Sequence, residues 1–258
     1  MSTKNLKLTA DHIDWSKMKV YEQSEKGIEI DNILTKITGD FNKGFHGLDH
    51  QQLNELVKTD PPLTDDSIMA PADAPGMINK FYSSVPENYE KPLLITETVL
   101  KDIFNNVNEA YIFLGEIENE GLIFMWQDSK EDQYYIVNNC DSKISITEQE
   151  FLDHKEFYNK NLKAILDLHI PEGDPNPGNT KRFIVKDRVY QEFLKQSVVY
   201  PSSICVVSFY PSMHVVEDWY CNRLTFIMVV ERYVNNKLEA IKESALYDRN
   251  GLCPPGNC

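Results

Sequence analysis

The most strongly patterned part of the chain lies towards its C-terminal end. Residues 203–210 and 222–233 are rich in β-branched and aromatic side chains, a composition typical of β-strands. A third run of this kind, 237–241, follows Asn235 and Asn236, which can adopt the positive φ angles of a tight hairpin. Because such strands are stable only when their faces are covered, the pattern predicts a sheet that other parts of the chain cover.

Three amphipathic helices are predicted before or between the strands. Apolar residues recur at helical spacing over 96–107, 147–166 and 183–196, so each segment has one face suited to a buried position. The second helix begins with a capping-box pattern, in which Thr147 is followed three residues later by Glu150. This pattern predicts that the helix begins directly after Thr147.

Further strands are predicted between the first two helices, at 110–115, 121–126 and 133–137. The order of a helix followed by strands therefore occurs twice, over 96–137 and again over 183–243. An internal duplication would produce this order, and so would the chance recurrence of a common arrangement. The predicted fold class is α+β, with mainly antiparallel sheets covered by amphipathic helices, and two related α+β units are one arrangement that fits it.

The clearest interruption of the hydrophobic pattern is the proline- and aspartate-rich segment 59–76. A loop of this length is either a linker or an arm that lies over the body of a protein. We therefore divide the chain into an N-terminal helical segment with this arm (1–76), a first α+β unit (77–143) and a second α+β unit with a cysteine-containing tail (144–258).

The charge of the chain narrows the classes of partner. The 258 residues include 40 acidic and 26 basic side chains, which gives a net charge of −14, and no basic stripe is visible in the sequence. Binding to nucleic acid or to an acidic membrane surface requires clustered lysine and arginine, so neither partner is predicted. The content of 41% hydrophobic residues is typical of a folded protein.

The sequence shows no segment that directs it to or across a membrane. The N-terminal residues lack the apolar core of a signal peptide, and no segment approaches the roughly 18–20 apolar residues that span a bilayer. These features predict a cytoplasmic protein.

Two short motifs carry a resemblance to known proteins. Residues 222–227 read Asn-Arg-Leu-Thr-Phe-Ile, and residues 251–258 read Gly-Leu-Cys-Pro-Pro-Gly-Asn-Cys. On these motifs the region 145–258 resembles a group of uncharacterised Bacteroidota proteins, which often carry an Asn-Arg-Leu-Thr strand and end in a short Gly-Leu-Cys-Pro-Pro…Cys tail. The resemblance implies a bacterial intracellular α+β protein and no particular activity.

Two of the five cysteines, Cys253 and Cys258, lie close together in the terminal tail. A disulfide-closed loop and half of a zinc site both fit this spacing. Zinc needs two further ligands, and no second closely spaced Cys or Cys/His pair is present. We rank an exposed structural tail first, a disulfide formed on oxidation second and a metal site third. Cys205 lies within a predicted strand and is interpreted as a buried hydrophobic residue.

His46 and His50 are a second candidate metal pair, because residues four apart on a helix face the same way. Gly47 weakens a helix here, and the first histidine has no adjacent glutamate. An exposed junction between a loop and a helix, with Asp49 as the N-cap, explains the same residues and is the favoured interpretation.

The segment between the last two long strands contains the strongest catalytic candidate. His214 can act as a general base, with Glu217 or Asp218 as the acid that orients it. No nucleophile is paired with this histidine by any known motif. The favoured interpretation is a polar loop whose Trp219 and Tyr220 pack on the edge of the sheet.

The preferred function is a non-enzymatic intracellular protein-binding or assembly protein, a component or cargo of a larger bacterial complex. It would bind a protein partner or self-associate, through the arm at 59–76 or through exposed aromatic residues near Trp126, Trp219 and Tyr220. No glycine-rich phosphate-binding motif is present, and no cofactor is predicted. The alternatives are a hydrolase that uses the His214 loop, with or without a metal, and a toxin-neutralising or effector-like protein whose acidic surface meets a basic partner.

Overall fold

Two antiparallel β-sheets form the centre of the fold. The computed structural model describes residues 13–15, 18, 73–104, 107, 109–118, 120–128, 133–138, 142–174, 178–200, 204–215, 221–235 and 237–241. The strands within these residues are β1 (Leu93–Thr96), β2 (Glu109–Ile117), β3 (Gly121–Asp128), β4 (Gln133–Asn138), β5 (Ser142–Ile146), β6 (Arg182–Lys186), β7 (Cys205–Met213), β8 (Leu224–Val234) and β9 (Lys237–Ala240). The helices are α1 (Ala74–Tyr82), α2 (Glu97–Ile103), α3 (Glu148–Lys160), α4 (Leu162–Asp167) and α5 (Asp187–Val199), with a short 3-10 helix at Glu87–Tyr89.

The first sheet contains four strands in the order β1-β7-β8-β9. Side chains of β7 and β8 alternate between its two faces, as the period of a strand requires. Phe209 and Phe226 on one face belong to the main hydrophobic core, whereas Tyr210 and Ile227 on the other belong to a second cluster. Because both faces are covered, nearly every residue of β7 and β8 is buried, which accounts for the dense hydrophobic runs in the sequence.

The second sheet contains five strands in the order β5-β4-β3-β2-β6. Its inner face contributes Ile112, Leu114 and Phe124 to the main core, and its outer face contributes Met125 to a separate cluster that includes Phe151 of α3. The outer face is therefore the surface on which α3 packs.

Four phenylalanine rings join the two sheets face to face. Phe124 and Phe183 come from the five-stranded sheet, and Phe209 and Phe226 come from the four-stranded sheet. The ring centre of Phe124 lies 5.0 Å from those of Phe209 and Phe226 and 5.3 Å from that of Phe183. Tilted and edge-to-face rings at these separations attract one another in addition to burying apolar area. The core therefore lies between the sheets.

The two sheets exchange a strand. β1 precedes β2 to β5 in the chain, yet it pairs with β7 of the other sheet, where Ile95 lies opposite Val207. β6 precedes β7 to β9, yet it pairs with β2, where Phe183 lies opposite Ile112. Each exchanged strand leads directly into a helix, β1 into α2 and β6 into α5. The order of strand, helix and hairpin therefore occurs twice, and each copy supplies one strand to the sheet of the other.

Helices complete the cover of both sheets: α1 and α3 lie on outer faces, whereas α2 and α5 contribute side chains such as Leu100 and Phe193 to the main core. α1 lies on the outer face of the four-stranded sheet, where its buried Met77 and Ile78 share a cluster with Tyr210. α2 and α5 contact each other, and the rings of Phe104 and Tyr190 stack there at 5.7 Å and an interplanar angle of 7°. The predicted covering of antiparallel sheets by helices is confirmed.

Of the predictions for single elements between 147 and 196, the capping box is confirmed and both helix boundaries are wrong. The capping box is confirmed, because the Thr147 side chain accepts a hydrogen bond from the Glu150 amide and the Glu150 carboxylate accepts one from the Thr147 amide. The single helix predicted over 147–166 is wrong, since it is interrupted at Asn161, where φ is −106° and ψ is −95°. The helix predicted over 183–196 is wrong at its start, because Arg182–Lys186 form β6.

The N-terminal part of the predicted organisation lies largely outside the described residues. Of the arm at 59–76, Ala74–Gly76 form the first turn of α1, with Pro75 near its N-terminus, where a missing amide proton costs no helical hydrogen bond. The division into 1–76, 77–143 and 144–258 stays a prediction. None of the helices within the described residues has the length and apolar content that a membrane crossing requires.

Candidate functional site

The outer face of the five-stranded sheet carries two cations, Lys155 and Arg182. Together with Lys181, which is close enough to Lys155 to lower its pKa, they form what we call the cationic patch. Lys155 comes from α3, Arg182 is the first residue of β6, and Lys181 directly precedes that strand. The antiparallel pairing of β2 with β6 places Arg182 opposite Phe113, and α3 crosses the same part of β2. Two distant segments of the chain therefore bring their positive charges to one surface.

Two of the cations, Lys155 and Arg182, lie over aromatic rings. The guanidinium carbon of Arg182 lies 5.0 Å from the centre of the Tyr111 ring and 5.8 Å from that of Phe113. The Lys155 ammonium lies 5.0 Å from the Phe113 ring and 5.2 Å from the Phe151 ring. These distances are within the range at which a cation is attracted to the face of a ring. The Phe113 ring is therefore shared between a lysine and an arginine.

The cationic patch is accessible to solvent. Tyr111 is 46% exposed, Lys181 is exposed, and Lys155, Arg182 and Phe113 are half-buried. Alternation along β2 explains this arrangement, because Tyr111 and Phe113 point outward while the intervening Ile112 points into the core. The patch therefore presents positive charge together with aromatic surface.

No Asp or Glu among the described residues forms an ion pair with these three cations. Other lysines of the described chain do have such partners, for example Lys160 with Glu156 at 2.6 Å. Burial lowers the pKa of Lys155, and the nearby charges of Arg182 and Lys181 lower it further. The three charges are thus close enough to repel one another, and an anion placed among them would relieve that repulsion.

A second polar cluster lies inside the protein, around the buried side chain of Asn179. Its amide nitrogen donates to the carbonyl oxygens of Asn222 (3.0 Å) and Leu166 (3.4 Å). Its oxygen accepts from the backbone amides of Leu224 (2.7 Å) and Thr180 (3.0 Å). The Asn179 side chain therefore joins α4, the segment before β6 and the start of β8.

The Asn-Arg-Leu-Thr motif of the sequence belongs to this interior cluster. Asn222 has a φ of 62°, and its side chain donates to the carbonyl oxygen of His169 at 2.6 Å. Arg223 is fully buried and forms an ion pair with Asp174 at 2.9 Å. No motif in the sequence marks Asn179 or Asp174 as buried polar residues, because both lie in a stretch rich in proline and glycine.

The predicted catalytic loop is only partly described. His214 follows β7 directly and is 1% exposed. Its backbone amide donates to the Arg223 carbonyl at 3.2 Å, and its carbonyl accepts from the Lys80 ammonium at 2.9 Å. Glu217 and Asp218 lie outside the described residues, so the arrangement of the three side chains stays a prediction.

The predicted aromatic surface is wrong for Trp126. This side chain is 5% exposed, and its ring stacks on that of Tyr135 at 5.4 Å. It occupies the inner face of β3, which the alternation of that strand assigns to the core. Trp219 and Tyr220, the other members of the predicted cluster, lie outside the described residues.

The candidate metal ligands His46, His50, Cys253 and Cys258 also lie outside the described residues. Within the described part of the chain, no group of three or more His, Cys, Asp or Glu side chains is arranged to hold a metal ion. Cys205 is buried in the main core as predicted, and burial raises the pKa of its thiol.

One buried carboxyl group supports the break between α3 and α4. The Tyr89 hydroxyl donates to Oε1 of Glu116 at 2.7 Å, and the Leu162 amide at the start of α4 lies 3.4 Å from Oε2. Burial raises the pKa of Glu116, which its hydrogen bonds lower in part. Burial, together with Glu116, raises the pKa of Tyr89 to about 12. Tyr89 and Glu116 are both buried, so their hydrogen bonds stabilise the interior and do not form a binding surface.

An open hollow of about 500 Å³ lies where β4 and β5 meet the start of α3, with Gln133, Ser145 and Glu148 in its wall. The Glu150 carboxylate in the same wall is engaged in the capping box, and the Gln133 amide donates to the Ile146 carbonyl. These polar groups stabilise the junction, so the cationic patch is the better candidate site. Comparison of the chain with models of protein families, with curated proteins and with solved structures finds no match.

Proposed function

We propose that the protein is a non-enzymatic protein-binding or assembly protein of the bacterial cytoplasm, and that the cationic patch is the surface through which it binds a partner. The observation that carries this proposal is that Lys155 and Arg182 lie over the partly exposed rings of Tyr111 and Phe113, with Lys181 next to Arg182 in the chain. Arginine and tyrosine are enriched at the energetic centres of protein interfaces, because they combine apolar area with directed hydrogen bonding.

The aromatic rings prepare the patch for binding. A free arginine loses side-chain entropy when a partner immobilises it, and that loss weakens the complex. The guanidinium of Arg182 already lies over the rings of Tyr111 and Phe113, so less freedom remains to be lost. The patch is positive although the chain has a net charge of −14. An acidic partner is therefore repelled by the overall charge and attracted to the patch, which orients the complex.

The test compares two charge-reversed variants of the full chain in the native host. The first is Lys181→Glu with Arg182→Glu. The second is the control Lys101→Glu with Lys237→Glu, which changes the net charge equally at exposed positions of α2 and β9. We expect the unaltered protein and the control to co-purify with the same partner in a fixed ratio, and the patch variant to lose it.

Mass measurement by light scattering covers the case in which the partner is a second copy. A loss of self-association in the patch variant alone supports the proposal equally. The proposal is overturned by a monomer that retains no stoichiometric partner, or by a partner that both variants retain.

A further inference from the structure

We infer that the partner presents an extended acidic segment to the cationic patch, with carboxylates at alternate positions of the segment. This inference rests on the proposed function and names the chemistry that the patch would recognise. It follows from the spacing of the charges, from their number and from the presence of a single arginine.

The spacing of the cations fits an extended chain. Lys155 and Arg182 both approach the ring of Phe113, so their charged groups lie within about 11 Å of each other, comparable to the ~8 Å screening length at physiological salt. In an extended peptide, side chains at positions i and i+2 point to the same side about 7 Å apart. Two such carboxylates can each approach one of these cations, and Lys181 adds charge at the margin.

Apolar surface beside the charges can hold a neighbouring side chain of the segment. Tyr111 lies opposite Ile184 across the β2–β6 pair, and both are at least partly exposed on the outer face. An apolar residue two positions beyond the acidic pair, on the same side of the segment, would cover Tyr111 while a carboxylate reaches Arg182. β6 is also the last strand of its sheet within the described residues, and extended segments commonly bind along such edges.

The number of charges favours a short acidic protein segment over nucleic acid. A nucleic acid carries a phosphate at every nucleotide, and affinity for it grows with the number of phosphates that lysine and arginine neutralise. Three cations in a chain of net charge −14 provide few such contacts, while the remaining surface repels the polyanion. A segment with two or three carboxylates needs no more than the patch supplies.

The single arginine favours carboxylates over phosphorylated side chains. Recognition of phosphorylated residues commonly relies on clusters of arginine, each donating two hydrogen bonds to the dianion. Arg182 is the one arginine of the patch, and the other two cations are lysines, which act as point charges. One arginine suffices for one bidentate carboxylate.

The experiment measures the fluorescence anisotropy of the labelled peptide Gly-Glu-Val-Glu-Val-Glu-Gly titrated with the full-length protein. The matched probe has glutamine in place of each glutamate. We expect the glutamate peptide to bind, the glutamine peptide not to bind, and the affinity to fall steeply as salt is raised, because the contacts are exposed charges. Circular dichroism verifies that every variant is folded.

Variants of the protein locate the binding surface. Arg182→Gln should weaken binding about tenfold or more, since it removes a charge-assisted bidentate contact. Arg182→Lys should restore only part of the affinity, because an ammonium keeps the charge without the fork geometry. Lys237→Gln, on the opposite sheet, should leave the affinity within about twofold of the original value.

Each other result has a defined meaning. Equal binding of the glutamate and glutamine peptides, or equal binding by the unaltered protein and Arg182→Gln, overturns the inference. A phosphoserine peptide or a single-stranded oligonucleotide that binds the patch more tightly also overturns it. These results would overturn the acidic segment as the ligand without testing the native partner, whereas a native partner retained by the charge-reversed variant defeats the proposed function itself.

Discussion

At the scale of single residues, the interior depends on the amide of Asn179. Its four hydrogen bonds satisfy backbone groups of α4, of β8 and of the intervening loop. Asn179 and its partners Thr180 and Leu224 are buried, so solvent does not reach these groups to replace the side chain. A buried group left without a partner costs about 1–3 kcal/mol.

We therefore expect Asn179→Ala to lower the free energy of unfolding by at least about 2 kcal/mol. Urea titration followed by circular dichroism measures this change. Asn159→Ala, at an exposed position of α3, is the control, and it should change the free energy of unfolding by less than about 0.5 kcal/mol. Equal losses in the two variants would contradict the role given to Asn179.

The contributions of Glu116 and Glu150 to the free energy of unfolding should change with pH in opposite directions. Burial raises the pKa of Glu116 in the folded protein, so the folded state holds its proton more tightly than the unfolded state does. Stability from this group is greatest below the unfolded pKa and is lost as pH rises through the folded pKa. The hydrogen bonds of the capping box lower the pKa of Glu150, so stability from that group is present above the unfolded pKa and is lost at lower pH.

Replacement by glutamine removes each pH dependence. Relative to the unaltered protein, Glu116→Gln should gain unfolding free energy as pH rises from about 4 upward, and Glu150→Gln should lose it as pH rises towards about 5. Changes in hydrogen bonding add an offset that does not vary with pH, so the slope is the quantity to measure. Urea titrations at a series of pH values give both slopes, and slopes of the same sign would show that the two sites do not differ as described.

At the scale of elements, the position of α3 depends on the absence of a side chain at Gly115. A Cβ atom there would lie 2.7 Å from Cε of the buried Met125 and 3.1 Å from Cβ of His154 on α3. The helix therefore lies unusually close to β2. This close approach also sets where Lys155 meets the Phe113 ring.

Gly115→Ala should lower the free energy of unfolding by roughly 1–3 kcal/mol, the usual cost of overpacking. Gly76→Ala is the matched control, because no atom lies within 4 Å of the added Cβ and the position is helical. That variant should gain up to about 1 kcal/mol from helix propensity. Thermal unfolding measures the stability of both variants against that of the unaltered protein. A Gly115→Ala variant as stable as the unaltered protein would show that α3 can move aside.

Features that depend on neighbouring residues, such as the capping box, could be predicted from the sequence. Features that depend on contacts between distant segments, such as β6 and the cationic patch, could not. The capping box at Thr147 needs only neighbouring residues, so its pattern was sufficient. Phe183 and Val185 fit a strand as well as a helix that continues to Val189, and pairing with β2 decides in favour of the strand. The same pairing carries Arg182 to Lys155, so the cationic patch was beyond prediction from spacing along the chain.

At the scale of the whole molecule, the exchange of β1 and β6 ties the halves of the chain together. Both sheets contribute to a single main core, and each depends on a strand from the other half. We therefore expect neither 77–143 nor 144–258 to fold when expressed alone. The first fragment would lack β6, most of β5 and three of the four core phenylalanines, and the second would lack β1 and Phe124.

Nuclear magnetic resonance spectra of the separate fragments show directly whether each fragment folds alone. Poorly dispersed amide signals are expected for each fragment, and well-dispersed signals are expected when the two are co-expressed, because the exchanged strands can then pair. A fragment that alone gives a dispersed spectrum and a cooperative unfolding transition would contradict the expectation.

The exchange also has a consequence for biosynthesis. Leu93 of β1 leaves the ribosome more than one hundred residues before Phe209, the residue opposite it in the finished sheet. Contacts between such distant positions are slow to form, and translation itself delays them further. The nascent chain must therefore carry β1 without its partner strand while more than one hundred further residues are made, and the four-stranded sheet can be completed only after β7 to β9 have emerged.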